Sequence, residues 1–161
     1  MKKDFKAIIA LIAIYTIGNF LLLLNRGIYW DAWEWMGLLR EKNYALLWSL
    51  ADQSKLYTHY FIMRLAGLTG DPIFFVNLLS FIGWILSGLF LYGILRKKLS
   101  LRIDRAFFIS ASFVLIPTLL IKVGQSIIHY SANNMLFFGA AFLYFLVEKN
   151  KSRVIRYGGY A

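Results

Sequence analysis

The chain of 161 residues has no cysteine, two prolines, two histidines and only eight acidic residues against 18 basic ones. The absence of cysteine excludes disulfides, cysteine-ligated zinc and a cysteine nucleophile. The sequence also lacks a glycine-rich phosphate loop, a His-Glu-x-x-His zinc helix, a nucleophile elbow and a detectable internal repeat. Any chemistry therefore depends on a few isolated polar residues.

Apolar residues, by contrast, are abundant: 60% of the chain is hydrophobic, 18% is aromatic and the mean hydropathy is +0.61. A soluble domain of this length cannot bury so much apolar surface, so the composition indicates an integral membrane protein. The formal net charge is +10. Because the basic residues gather at the ends of apolar segments and form no stripe among aromatics, we expect no nucleic-acid partner.

Four apolar segments predict an all-α, polytopic membrane protein with a single helical domain over residues 1–161. The first segment, residues 7–24, carries no charge, and its 18 residues would form a helix about 27 Å long. It has a basic start but no small-residue cleavage site, so we interpret it as a retained anchor and not as a signal peptide. The other three spans are predicted near residues 73–95, 106–128 and 131–147.

Basic residues are distributed unevenly around these spans. Most lie before the first span, between the second and third, and after the fourth: Lys2, Lys3, Lys6, Arg96, Lys97, Lys98, Arg102, Arg105, Lys149, Lys151, Arg153 and Arg156. The positive-inside rule predicts that both termini are cytoplasmic, with the protein in the cytoplasmic (inner) membrane. The connection that contains Lys122 and His129 then faces outside, as does the loop over residues 25–72.

The long outer loop, residues 25–72, is rich in Trp, Leu and Tyr and is predicted to fold. Residues 55–68 have apolar side chains at helical spacing, and residues 31–40 predict a second helix. Aromatic-rich helices beside a bilayer are expected to lie in the interfacial plane. We therefore predict a cap of membrane-parallel helices, in which Lys55 and His59 face a site or water.

An acidic and aromatic segment opens this loop: Tyr29-Trp30-Asp31-Ala32-Trp33-Glu34-Trp35. Asp31 and Glu34 are the candidate catalytic residues, because a carboxylate can remove a proton from an acceptor hydroxyl. The same two residues fit a capping box that would satisfy amide hydrogens at a helix start. The tryptophans fit either an interfacial aromatic belt or a ligand-stacking surface. The sequence leaves both alternatives open.

Four further polar residues are candidates for binding a substrate: His59, Arg64, Lys122 and His129. A lone histidine is commonly a hydrogen-bonded structural residue. Lys122 either marks the outer end of the third span and extends toward water, or lies within the membrane and is functional. The arginines Arg26 and Arg64 fit either a phosphate site or solvated surface. Two histidines and Asp31 would suffice for a divalent metal, although their spacing identifies no metal site.

The acidic segment and the topology together resemble the amino-terminal portion of the polytopic GT-C glycosyltransferases, which include protein O-mannosyltransferases and aminoarabinose-transferase-like bacterial enzymes. The resemblance lies in residues 27–35, in the rest of the loop up to Pro72 and in the short loop 96–105. These families commonly have a second acidic residue directly after the aspartate. Here Ala32 occupies that position and Glu34 follows two residues later, which leaves the second acidic role open.

The resemblance implies inverting transfer of a sugar from a polyprenyl-phosphate donor to an extracytoplasmic acceptor, with no nucleotide required. Asp31 would be the general base, and Arg64, Lys122 or a divalent metal would stabilise the leaving phosphate. GT-C enzymes have more than four spans, so we expect this chain to be truncated. The alternatives are a small four-helix scaffold or assembly protein without enzymatic activity, and a transporter fragment with Lys122 and His129 on its substrate path.

Overall fold

The computed structural model describes residues 2–28, 32–115 and 128–158, and within these ranges all regular structure is helical. The helices are α1 (Lys2–Asn19), α2 (Leu21–Leu24), α3 (Ala32–Arg40), α4 (Tyr44–Ser54), α5 (Tyr57–Ala66), α6 (Pro72–Lys97), α7 (Ile103–Leu115) and α8 (Ile128–Gly158). Helices α1, α6, α7 and α8 form a bundle, and α3, α4 and α5 form a layer at one end of it, here called the cap. The all-α prediction is confirmed for the described residues.

Helix α6 is the central element of the bundle and is 26 residues long. Asp71 caps its start by accepting a hydrogen bond from a first-turn amide at 3.0 Å, and Pro72 occupies the first turn, where a missing N–H is tolerated. Arg96 and Lys97 in the last turn interact favourably with the negative end of the helix dipole. The predicted helix over residues 73–95 is confirmed.

The first apolar segment forms two helices, and the prediction of one helix over residues 7–24 is corrected. Helix α1 already begins at Lys2 and ends at Asn19, and α2 is a single turn that follows Phe20. The side-chain amide of Asn19 donates to the Tyr15 carbonyl at 3.0 Å, a bond that competes with helical backbone pairing. Gly18 further lowers the helix propensity, so the break has a local cause.

The third and fourth segments also differ from expectation at their ends. Helix α7 begins at Ile103, and the part of the predicted span 106–128 that follows Leu115 lies outside the described residues up to the start of α8. Helix α8 is 31 residues long and extends past both ends of the predicted span 131–147. No glycine or proline interrupts its second half before Gly158, and its Lys, Arg and Glu residues are good helix formers. The helix therefore continues past residue 147 into the charged segment that was expected to follow its end.

Glycines in α6 allow the bundle helices to approach closely. A Cβ at Gly83 would lie 3.2 Å from a backbone carbonyl oxygen of α8, and one at Gly93 would lie 2.6 Å from Phe142. A Cβ at Gly88 would collide with Val114 of α7. Small residues at helix contacts are typical of helices that associate in a membrane. The buried bundle core consists of Leu11, Tyr15, Trp84, Tyr92, Leu95, Ala106, Ala111 and Val114.

The cap has a buried core of its own, to which α6 contributes Val76 and α8 contributes Ala132. Through these two residues the cap packs against the first turns of α6 and α8. The cap helices supply the remaining core residues: Trp35, Met36, Leu39, Leu47, Ala51, Ile62, Met63 and Ala66.

Local capping sets the boundaries of the cap helices. The sequence analysis did not predict α4, which begins after Asn43, whose side chain accepts a hydrogen bond from the Leu46 amide at 3.2 Å. Helix α4 ends at Ser54 and is capped by Lys55, which has a left-handed backbone with φ 58°. The helix predicted over residues 55–68 is confirmed as the shorter α5, because that turn at Lys55 delays its start.

Two described helical segments, Pro72–Lys97 and Tyr130–Glu148, are long and apolar enough to cross a membrane. The first turns of α1 contain several charged residues, and the described α7 has 13 residues. Large apolar side chains are nevertheless exposed on α1, α7 and α8: Phe5, Ile9, Ile12, Ile17, Phe108, Ile109, Leu136, Phe137, Leu143, Tyr144 and Val147.

The end of the bundle opposite the cap is rich in basic residues and is here called the basic end. Asp4 of α1 pairs with Arg96 of α6 at 2.6 Å, and Lys98 pairs with Glu148 of α8 at 2.6 Å. The start of α1, the α6–α7 connection and the region of α8 around Glu148 therefore lie together. From the sequence, the chain before the first span, between the second and third spans and after the fourth span was predicted to lie on the cytoplasmic side.

Candidate functional site

The described part of the acidic segment, residues 32–35, belongs to α3 of the cap. Helix α3 begins at Ala32, close to the predicted start at residue 31, and Glu34 lies exposed in its first turn. Asp31 lies outside the described residues, so its roles as base and as helix cap both stay predictions. Its described neighbours belong to the cap, since Ile28 packs against the cap core and Ala32 is fully buried.

The two described tryptophans of this segment have opposite environments. The Trp33 side chain is 63% exposed, whereas Trp35 is 4% exposed and belongs to the cap core. Trp35 therefore stabilises the cap from inside and is neither a belt residue nor a stacking platform. Trp33, beside Glu34 at the surface, has the exposure that a membrane-interface or ligand-stacking residue needs.

His59 is fully buried, which excludes the water-facing alternative of its prediction, whereas its facing a site stays a prediction. Its ring meets that of Trp35 edge-on, with the centroids 4.1 Å apart. On α5, His59 lies next to the buried residues Ile62 and Met63 in helical spacing, so it shares their inward face. Its prediction as a substrate-binding residue gains no support from this position, whereas Lys55 is exposed as expected.

Arg64, the second candidate on α5, stacks on an aromatic ring. Its guanidinium carbon lies 3.8 Å from the centroid of the Tyr44 ring at the start of α4. This cation–π contact joins two cap helices. The guanidinium still has hydrogen-bond donors to offer a phosphate, because stacking uses its face and not its N–H groups.

Arg26 and Asp71 form an ion pair that links the end of α2 to the start of α6. Asn77 of α6 reinforces the link by donating a hydrogen bond to the Asn25 carbonyl at 2.7 Å. The amide hydrogen bond from Phe74, followed by the interaction with Arg26, lowers the pKa of Asp71, and desolvation opposes it. Arg26 therefore has a structural partner, and this connection fixes where the chain leaves the bundle for the cap.

A small cavity of about 230 Å³ lies where α3 meets the start of α6. The sequence analysis did not single out its one basic residue, Arg40 in the last turn of α3. Arg40 is exposed, and Asp71 lies on the same cavity wall. The remaining lining residues are Met36, Leu39, Gly67, Gly70, Pro72 and Ile73.

The outward face of α5 has an apolar stripe, defined here as Tyr57, Phe61 and Leu65. These residues recur every four positions, so they share one helix face, and all three side chains are exposed. Helix α5 thus presents apolar residues both to the cap core and outward. An outward apolar stripe beside a bilayer is typical of a helix that rests on the membrane surface.

The other candidates are less well defined by the structure. Lys122 lies outside the described residues, and His129 is the second residue of α8, at the cap end of the bundle. Glu34, His59 and Arg64 occupy three different environments: surface, core and a stacked contact. Among the described residues, no three His, Asp or Glu side chains come together in a way that could hold a metal ion.

Comparison of the chain with protein-family models, with curated proteins and with solved structures finds no match. The fold and the site therefore stand on the residues described above.

Proposed function

We propose that the protein is a polytopic membrane protein with four spans, both termini in the cytoplasm and the cap on the outer surface. Exposed apolar side chains on α1, α7 and α8 support this, because such surfaces are favourable against lipid and unfavourable in water. The gathering of Lys3, Lys6, Arg96, Lys98 and Arg102 at the basic end supports the orientation, since the positive-inside rule puts that end in the cytoplasm.

We further propose that the cap forms part of the site of a glycosyltransferase that uses a polyprenyl-phosphate sugar. The observation that carries this proposal is that residues 32–35, the described part of the acidic and aromatic segment, form the start of α3 in the cap. A lipid-linked donor presents its sugar at the membrane surface. A cap resting there would be well placed to exclude water and hold the sugar.

The proposed chemistry is an inverting displacement. The Asp31 carboxylate accepts the proton of the acceptor hydroxyl, and the hydroxyl oxygen forms a bond to the anomeric carbon. The bond between that carbon and the phosphate oxygen breaks, and polyprenyl phosphate leaves with its electron pair. Arg40 and Arg64 are the described cap cations that could stabilise the developing phosphate charge, and Lys122 remains a candidate for the same role.

The transferase proposal is tested with the whole chain in lipid nanodiscs, a panel of radiolabelled polyprenyl-phosphate hexoses and pentoses, and a cell-envelope extract that supplies the acceptor hydroxyl. Release of polyprenyl phosphate is the readout. Asp31→Asn should lower the rate by about two to four orders of magnitude, the usual range for a lost general base. Asn caps a helix about as well as Asp, so the helical circular dichroism should not change.

Glu41→Gln is the matched control, because Glu41 is an exposed carboxylate just after α3 and should not affect the rate. A near-normal rate for Asp31→Asn would leave helix capping as the role of Asp31. If the unmodified chain released no polyprenyl phosphate from any donor, the transferase proposal would be rejected.

A scaffold or assembly protein is the second candidate function. It is favoured by the burial of His59 and the ion pair of Arg26, since these contacts use two polar residues that a catalytic site would otherwise employ. The same nanodisc experiment separates the two functions, because a scaffold has the cap but no turnover.

A further inference from the structure

A groove of about 750 Å³ lies at the basic end of the bundle, between α1 and the start of α7. It is widely open to its surroundings, so a ligand could enter it without movement of the helices. The residues that line it are Lys3, Lys6, Ala7, Ala10, Arg96, Arg102, Ile103, Asp104 and Phe107.

The rim of this groove carries an excess of positive charge. Arg96 is neutralised by Asp4 at 2.6 Å, and Arg102 pairs with Asp104 at 3.1 Å. Lys3 and Lys6 are exposed and form no ion pair among the described residues. Within the described part of the chain these two lysines have no ion-pair partner, so they point to an anionic ligand, and a phosphate matches their charge.

The floor of the groove is apolar and includes two alanines. Ala7 and Ala10 are three residues apart on α1, so they lie on one face, and their small side chains leave room above them. Ile103 and Phe107 of α7 form the opposite wall with the same helical periodicity. A channel of this kind fits a hydrocarbon chain that lies beneath a charged head group.

We propose that this groove binds one anionic phospholipid of the inner leaflet, with its phosphate at Lys3 and Lys6 and an acyl chain along Ala7, Ala10 and Phe107. Basic pockets between membrane helices on the cytoplasmic side are suited to anionic head groups. The proposal rests on the orientation proposed above and is independent of any glycosyl transfer. A bound lipid would also contact both α1 and α7 and so stabilise their packing at the basic end.

The test uses the purified full chain in nanodiscs of phosphatidylcholine and phosphatidylglycerol, followed by native mass spectrometry of the released protein. The unmodified protein should retain one phosphatidylglycerol molecule. Lys3→Gln combined with Lys6→Gln should weaken retention of this lipid by about tenfold to thirtyfold at low salt. This range follows from adding the usual attraction of each of the two lysines to an anionic surface. Ala10→Phe should block the acyl channel and weaken retention with both lysines present.

The matched control combines Lys97→Gln with Arg105→Gln, which removes two positive charges from the same end but outside the groove. Equal losses in the two double variants would mean diffuse attraction, and the site would be rejected. A competition arm adds inorganic phosphate to the protein in detergent. If millimolar phosphate displaced the lipid completely, the ligand would be free phosphate and the acyl channel would have no role.

Because both lysines are exposed, their variants should fold, and a melting temperature equal to that of the unmodified chain verifies it. Should Ala10→Phe fail to fold, Ala7→Leu tests the same channel with a smaller side chain. Loss of lipid retention does not bear on release of polyprenyl phosphate, so failure of this proposal and failure of the transferase proposal are separate results.

Discussion

The cap and the bundle are both helical but are built on different principles. The cap core contains large flexible and aromatic side chains from short helices, such as Trp35, Met63 and Leu47, while Lys42, Gln53 and Lys55 lie at its surface. Both regions expose large apolar side chains, and the bundle helices approach one another closely at glycines in α6. Buried large side chains therefore hold the cap helices together, whereas glycine contacts allow the bundle helices to approach closely.

This difference indicates how each region should respond to mutation. In the cap, removing buried volume should cost the most. In the bundle, adding volume at a glycine contact should cost the most, because α6 has no space there.

The largest stability effect is expected from Met63→Ala in the cap core. The Met63 side chain has no exposed surface, so its truncation should destabilise the cap by about 2–5 kcal/mol. Amide hydrogen exchange should then accelerate in α3, α4 and α5 and stay slow in α6. Leu65→Ala is the control on the same helix, because Leu65 is 53% exposed. Equal acceleration in both regions would contradict the view that they are separate packing units.

Two glycine-to-alanine substitutions should change the stability in opposite directions. Gly88→Ala in the bundle should destabilise by about 1–3 kcal/mol, because its Cβ would collide with Val114. Gly37→Ala in α3 should stabilise the cap by about 0.5–1 kcal/mol, since nothing lies within 4 Å of its Cβ and alanine favours helix. Unfolding of detergent-solubilised protein by sodium dodecyl sulfate measures both. A stable Gly88→Ala variant would show that α6 and α7 are not closely packed.

A small effect of pH is expected at the turn between α4 and α5. The Tyr57 hydroxyl donates to Asp52 at 2.7 Å, and this bond, followed by the charge of Lys55, lowers the pKa of Asp52 below its usual 3.8. A lowered pKa in the folded state means that the stabilisation is present above pH 3.8 and is lost as the pH falls through the folded-state pKa.

Hydrogen exchange of this turn, corrected for the intrinsic pH dependence, should therefore increase between pH 5 and pH 3. Asp52→Asn should abolish this increase in exchange at low pH, and Glu41→Gln should preserve it. If the increase persisted in Asp52→Asn, the effect would belong to another titrating group.

The sequence predicted α6 well because its signals are local. Asp71 and Pro72 start it, and a long uncharged run ends at Arg96 and Lys97. The same kind of signal was present for α4 in Asn43 but was hidden by the aromatic-rich sequence that follows. The break after Asn19 depends on one side-chain hydrogen bond within a run that looks uniformly apolar.

The candidate site was harder to predict because its contacts are distant in sequence. Arg26 pairs with Asp71, 45 residues away, and no sequence pattern identifies that partner. His59 was expected to face a site or water. Helix α5 is apolar on two faces, so its periodicity does not reveal which face is buried. Asp31 could be selected by chemistry alone, and its role stays a prediction.

We expect the cap and the basic end to lie on opposite sides of a membrane, with the cap outside. The chain has no cysteine, so Gln53→Cys in the cap and Ser100→Cys between α6 and α7 each give a single labelling site. In intact cells, a membrane-impermeant thiol reagent should label Gln53→Cys at once and Ser100→Cys only after permeabilisation. Labelling of both positions in intact cells, or of Ser100→Cys alone, would contradict the account.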